Sequence, residues 1–249
     1  MSFAVDAHCH IDMAQFDSDR KDVITRAKNA HVTIINSGID LNSNFATKRL
    51  LMNENVCATY GLSPIETNQA DKVEDFIRQN TDTAIGIGEV GLDYYHVGDT
   101  VQRERQKAAF KRFIDLSDEL GLTLIVHSRD AERHVFEMTN RLDNVIYHCY
   151  SGDLDTLHKI VDCGHYISIS TRVKKSKIHQ EMVRCTPQEL IIVETDSPYL
   201  SPRKGRNEPA YIIEAIATIA EIWATTVNEA ASIILDNTVN AFKQKLKTT

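Results

Sequence analysis

FAVDAHCH, residues 3–10, is a short, mostly apolar run that ends in two histidines spaced i, i+2. Seven more such runs follow: VTIINSGI (32–39), VCATYGL (56–62), TAIGIGEVGLDY (83–94), LTLIVHS (122–128), NVIYHCY (144–150), HYISIS (165–170) and LIIVETD (190–196). Most are nearly continuous in apolar residues, as strands covered on both faces must be. Helical patterns lie between them. Asp19–Ala30 sets Val23, Ile24 and Ala27 on one face, and Asp71–Gln79 sets Val73, Phe76 and Ile77. Thr100–Leu120 turns Ala109, Phe110, Phe113, Ile114 and Leu116 inward and Arg103, Arg105, Lys107 and Lys111 toward water, with Gly121 as its C-cap. Leu154–Val161 stops before Gly164, and two helices over 209–224 and 227–246 end the chain. Within them Trp223, Ile213, Ile216, Ile219 and Ile222 read as core.

Eight strands in 249 residues give about 31 residues per βα unit, a size that closes into a (β/α)8 barrel or winds an open sheet. No Pro-, Gly- or Ser-rich linker divides the chain, so 1–249 reads as a single α/β domain. Hydrophobic residues make up 42% and charged residues 25%, which excludes collagen-like and largely disordered readings. The run MSFAVDAHCH lacks the basic and apolar regions of a signal peptide, and no stretch is apolar enough for a transmembrane helix. Five cysteines, an odd number without a C-x-x-C, point to a reducing, cytoplasmic setting. The net charge of −7 argues against a basic coat protein on nucleic acid. Its distribution is uneven. Residues 171–177 hold four basic side chains and no acid, and residues 197–207 hold Arg203, Lys204 and Arg206 and no acid.

The polar residues gather at strand ends: His8 and His10, Glu89, His127, His148 and Asp196. In a parallel barrel those ends open on one face. His8 and His10, two apart on a strand, share a face; Cys9 then points outward, and Cys149 likewise beside His148. Four imidazoles and two carboxylates at buried strand ends are costly unless paired or metal-bound. Six ligands exceed the three or four of one catalytic zinc, and a carboxylate such as Glu89 can bridge two ions. The formal G-x-G-x-x-G at Gly86–Gly91 is followed by strand-like LDYY rather than a helix, which argues against a dinucleotide site. His31, His96, His134, His158, His165 and His179 lack motif context and read mostly as surface or hydrogen-bond-satisfied residues, with His96, in the loop after the fourth strand, the one nearest a predicted site.

Six blocks carry a family likeness: DAHCHID (6–12), GIGEVGLDYY (86–95), IVHSRDA (125–131), YHCYSG (147–152), ETDSPYLSP (194–202) and RNEP (206–209). The chain resembles the TatD family of metal-dependent deoxyribonucleases, among the amidohydrolase-like TIM barrels. The resemblance implies that His8, His10, Glu89 and Asp196 hold one divalent ion and Glu89, His127 and His148 a second. Mg²⁺ is the implied activator, with Zn²⁺ and Mn²⁺ as other candidates. It further implies a 3′→5′ exodeoxyribonuclease acting on single-stranded DNA or 3′ ends, with RNA a further substrate for some members, and no membrane or protein partner. Hydrolysis would use a water activated by the two metals, with Glu89 as the bridging carboxylate and Asp196 as general base. One departure stands out. The family's third strand ends in G-x-H-P, and here Gly61-Leu62-Ser63-Pro64 puts a serine, Ser63, where a substrate-facing histidine is expected. Arg129, two residues after His127, is placed to clamp a phosphate. Arg206 and Asn207 are candidates for the same work, with loop and helix capping as their other reading. The competing function is an amidohydrolase-type hydrolase of a small-molecule ester, lactone or amide.

Overall fold

A computed structural model describes residues 3–243, 245 and 246. Eight strands run in chain order: β1 (Ala4–Cys9), β2 (Val32–Gly38), β3 (Val56–Tyr60), β4 (Ala84–Asp93), β5 (Thr123–Arg129), β6 (Val145–Tyr147), β7 (Tyr166–Ser170) and β8 (Ile191–Glu194). Each pairs in parallel with the next. β8 and β1 are joined just past the strands. Asp196 N–H donates to the His8 carbonyl (3.0 Å) and His10 N–H to the Ser197 carbonyl (2.8 Å). The Asp6 carboxylate accepts from the Thr195 N–H (2.7 Å) and hydroxyl (2.5 Å). The result is a nearly closed TIM barrel rather than an open sheet.

Nine helices are found among the described residues: α1 (Arg20–Asn29), α2 (Leu41–Leu50), α3 (Ala70–Arg78), α4 (Thr100–Leu120), α5 (Glu132–Thr139), α6 (Leu154–Asp162), α7 (Lys177–Cys185), α8 (Ile212–Trp223) and α9 (Val227–Ala241). α4 spans the expected residues. Asp99 caps its first turn through the Gln102 N–H (2.9 Å), and Gly121 closes it at φ 62°. Arg103, expected in water, instead lies over the Tyr94 ring and donates to the Tyr94 and Val97 carbonyls. The helix expected over 209–224 opens as a 3-10 turn, Pro209–Tyr211. The one expected over 227–246 stops at Ala241, and residue 244 of that range lies outside the described residues. The sequence reading missed α2, α5 and α7. α2 hides its amphipathicity because the side chains it buries are Asn44 and Thr47, and an Asp40–Ser43 capping box starts it. Among the described residues no single helix is long and apolar enough to cross a membrane.

The core has two layers. The outer one lies between strands and helices and holds Cys9, Ile34, Ile87, Leu124, Val126 and Ile216. The inner one fills the lower barrel with Val5, Ile35, Ile85, Ile125, Ile146 and Ile192, plugged by Phe242 and Leu246. Each such side chain contributes about 1.5–3 kcal/mol by leaving water. Alternation along β5, β6 and β8 carries the inner face from Ile125 to His127, Ile146 to His148 and Ile192 to Glu194. β1 and β4 break it. Their registers slip between Asp6 and Cys9 and between Ile87 and Val90. Such bulges re-aim side chains, and His8 and Glu89 sit inside them. The glycine-rich run belongs to β4 itself. A Cβ on Gly88 would stand 2.5 Å from Ile125 Cβ, so glycine is what lets the bulged strand lie against β5.

Candidate metal centre

All six strand-end residues singled out in the sequence converge at the top of the barrel. His8 Nε2 lies 3.1 Å from His10 Nε2 and 3.0 Å from Glu89 Oε2. His10 Nε2 is 3.4 Å from the same oxygen and 3.7 Å from Asp196 Oδ1. The other oxygen of Glu89, Oε1, faces His127 Nδ1 at 3.0 Å. The His8 and His148 rings lie close and tilted by 32°, with centroids 3.8 Å apart. Three sets of donor atoms each fall within 4.8 Å of one another: His8, His10 and Glu89; Glu89, His127 and His148; and His8, His148 and Asp196. Glu89 thus belongs to two sets through opposite oxygens.

Their hydrogen bonds show what the donors lack. His10 Nδ1 lies 2.8 Å from the Ser37 carbonyl. A carbonyl only accepts, so Nδ1 carries hydrogen and the Nε2 of a neutral ring is a lone pair. That lone pair faces a carboxylate oxygen and another imidazole nitrogen, an arrangement that calls for a cation in their midst. Burial works to lower His10, but Glu89 overrides it and pushes the ring up to about 9. Burial is overridden in the same way at His127, which Asp93 and Glu89 raise to about 10. His8 stays well below its ordinary value because of burial and the neighbouring His148. Glu89 resists burial and is held well below the usual carboxylate range by His10, His127 and His8. Burial raises Asp196 to about 6 against the pull of His148 and His10. The donors are imidazole nitrogens and carboxylate oxygens, a set that fits Mg²⁺, Mn²⁺ or Zn²⁺. Cys9 is turned into the outer core, its thiol on the Ile35 carbonyl.

Two acids that support the donors escaped the sequence reading. Asp93 Oδ2 lies 3.1 Å from His127 Nε2 and 2.8 Å from His96 Nδ1. Glu194 Oε1 lies 2.9 Å from His148 Nδ1, at an angle that leaves both atoms without a hydrogen bond. The Ser168 hydroxyl secures its other oxygen at 2.5 Å. Such partners orient the ligating rings. The available signal was the same as for Glu89 and Asp196: an acid at the end of an apolar strand, in GLDYY and in VETD.

A cavity of about 380 Å³ opens beside the centre, lined in part by His127, His148, Asp196, Arg129, Arg172 and His179. The Arg129 guanidinium lies 4.0 Å over the Tyr95 ring and has no ion-pair partner among the described residues. Cys149, expected to point outward, lines this cavity. β6 ends at Tyr147, and a φ of 45° at Cys149 breaks the alternation on which that expectation rested. His179, grouped in the sequence with surface or satisfied histidines, lines it too, with its Nε2 unsatisfied among the described residues. Ser63 lies elsewhere. It borders a hollow with Pro64, Gly91 and Phe113, and its hydroxyl takes the Ile65 N–H at 3.4 Å. Arg206 and Asn207 are not brought to the cavity. Arg206 lies over Phe16 and grips Asp19 with two bonds of 2.8 and 2.7 Å. Asn207 is wholly buried and ties Thr171 Oγ1 to the Thr195 carbonyl. The local basic charge is also smaller than the sequence promised, since Lys174 and Arg203 both pair with Glu214.

Comparison with known proteins follows this geometry. A family model described as TatD related DNase matches residues 5–243. An uncharacterized metal-dependent hydrolase of Methanocaldococcus jannaschii, MJ1582, is 38% identical over 97% of this chain and 98% of its own length. The human deoxyribonuclease TATDN3 is 30% identical over 96% of this chain and 94% of its own. The crystal structure of YjjV, a TatD homolog from Escherichia coli, superposes with a TM-score of 0.85 at 24% identity, covering 97% of this chain and 98% of that one. At that identity the likeness speaks for the fold.

Proposed function

The chain belongs to the TatD-related DNase family of metal-dependent hydrolases, and from that premise we propose that it is a phosphodiesterase trimming nucleic acid from 3′ ends. The carrying observation is the two-sided carboxylate of Glu89, with His8 and His10 at Oε2 and His127 at Oε1. In this reading His8, His10, Glu89 and Asp196 hold one divalent ion and Glu89, His127 and His148 the other, within one hydrolase domain. Asp196, grouped with His8 and His148, stands where both sets meet. The bound ions would supply Lewis-acid charge to the phosphoryl oxygens and lower the pKa of the attacking water.

The protein's own groups do the rest. Asp196, with a side chain 16% exposed, reaches solvent enough to take the water's proton as general base. Glu89 remains an anion between the two histidine sets. Arg129, free of carboxylates, turns its donor fork to the phosphate while Tyr95 holds it from behind. Asp93 holds the His127 ring through Nε2, and Glu194 sets a carboxylate beside His148 Nδ1. The test is cleavage of 3′- and 5′-labelled single-stranded DNA with Mg²⁺ or Mn²⁺, with and without chelator. A ladder shortening from the 3′ end and abolished by chelator supports the reading. No cleavage with any divalent metal, together with hydrolysis of small esters or lactones, overturns it.

A further inference from the structure

Arg172 and His179 stand at the cavity wall beyond the metal donors, and the catalytic account uses neither. Their surroundings set them apart from the basic residues nearby. Lys174 and Arg203 are neutralised by Glu214, and Arg206 by Asp19. The exposed guanidinium of Arg172 has no ion-pair or hydrogen-bond partner among the described residues. His179 is the converse case. It is 4% exposed, its Nδ1 lies 2.8 Å from the Ser176 hydroxyl, and its Nε2 is buried with no hydrogen-bond partner among the described residues. An unsatisfied buried polar atom is costly, so an oxygen that reaches it is favoured. Ser176 Oγ already accepts the His179 backbone N–H at 3.4 Å as the N-cap of α7. In the tautomer in which the hydroxyl donates its hydrogen to Nδ1, Nε2 is a neutral N–H donor.

We infer that Arg172 and His179 form a second phosphate subsite, which takes the phosphate next to the one held at the Glu89 centre. Both residues line the same 380 Å³ cavity as His127, His148 and Asp196, so one ligand can span the two positions. Arg172 and Leu200 also line an adjoining open groove of about 460 Å³ with Lys175, Ser176, Ser201 and Pro202. Among the described residues no carboxylate lines that groove, and Lys175 adds a second cation without an ion-pair partner. A chain that passes over Arg172 therefore leaves the cavity along a polar, cationic path. A guanidinium fork beside a neutral imidazole N–H suits the several oxygens of a phosphate better than the single acyl oxygen of an ester or lactone. The inference deepens the phosphodiesterase reading and rests on it for the identity of the ligand as a polynucleotide.

The test is binding rather than turnover. Thymidine 3′,5′-bisphosphate and thymidine 5′-monophosphate are titrated calorimetrically into the metal-loaded protein. The subsite predicts an affinity for the bisphosphate at least about tenfold higher. Arg172→Ala, an exposed and structurally safe change, should cut that advantage below about threefold, and His179→Asn should reduce it. The Nε2 signal of His179 in a nitrogen-detected NMR spectrum should move with the bisphosphate and stay still with the monophosphate. Equal affinity for the two probes, or an advantage that survives Arg172→Ala, overturns the subsite. The two readings separate cleanly. A protein that fails to cut DNA but keeps an Arg172-dependent preference loses the nuclease reading alone, and one that cuts DNA without the preference loses the subsite alone.

Discussion

The lower and upper halves of the barrel interior are built by the same eight strands and do opposite work. Below, Val5, Ile35, Ile85, Ile125, Ile146 and Ile192 meet Phe242 in a dry apolar plug. Above, two residues further along most of these strands, the interior is Ser37, His127, His148 and Glu194. The apolar half lowers the free energy of the fold. The polar half raises it, because imidazoles and carboxylates are buried there among one another. A protein keeps such a layer when a ligand repays its cost, and here the unmet need of the donors is for cations.

The first way to break this comparison is to remove the carboxylate that serves both donor sets. Glu89→Ala should lower kcat/KM for DNA by about a thousandfold or more, the several kcal/mol that metal charge contributes. Its thermal midpoint without metal should fall modestly, because the change leaves His8, His10 and His127 without their shared carboxylate. A comparable fall in both would mean the upper layer is a structural core. The lower half should respond the other way round. Phe242→Ala should cost about 3–4 kcal/mol in urea unfolding while retained metal, measured by elemental analysis, stays at the native level.

A third effect comes from His165, wholly buried at the foot of β7 with neither ring nitrogen partnered. Burial lowers it from 6.5 to about 4. Between those values the unfolded chain binds the proton and the native one does not, so stability falls as pH falls from 6.5 toward 4. The loss is roughly 3 kcal/mol for this ring. Denaturant midpoints of His165→Gln should show a correspondingly shallower acid slope, and an unchanged slope would remove His165 from the account. The smallest effect is expected at Arg206. Arg206→Ala breaks a partly buried surface pair with Asp19 and should cost about 1 kcal/mol, with DNA cleavage unchanged within about twofold. A large loss of cleavage would return Arg206 to the substrate path.

The contrast between the halves also explains what could be read from the sequence. Apolar runs ending in His or acid announced both the barrel and its chemical face, and the i, i+2 spacing of His8 and His10 put both on one side. The inward turn of His8, out of phase with Val5, was hidden, because the bulge that makes it depends on register with β2. Glu89 keeps the parity of Ile85, and what was hidden in β4 is that Ile87 between them faces the outer core, with the slip against β5 restoring the inner face at Glu89. Asp93 and Glu194 carried a readable signal that went unused. The fates of Arg206 and Asn207 were set by Asp19 and Thr171, partners distant in sequence, and residue type alone does not reveal such pairings. His179 had no motif at all, and only the packing of α7 against the cavity brings it into view.

Anomalous diffraction from crystals soaked in Mn²⁺ is the most direct measurement of the central claim. The account predicts two peaks about 3.5–4 Å apart, one on each side of the Glu89 carboxylate, and the loss of the pair in Glu89→Ala. A single peak away from Glu89, or two peaks that persist in the variant, would contradict it.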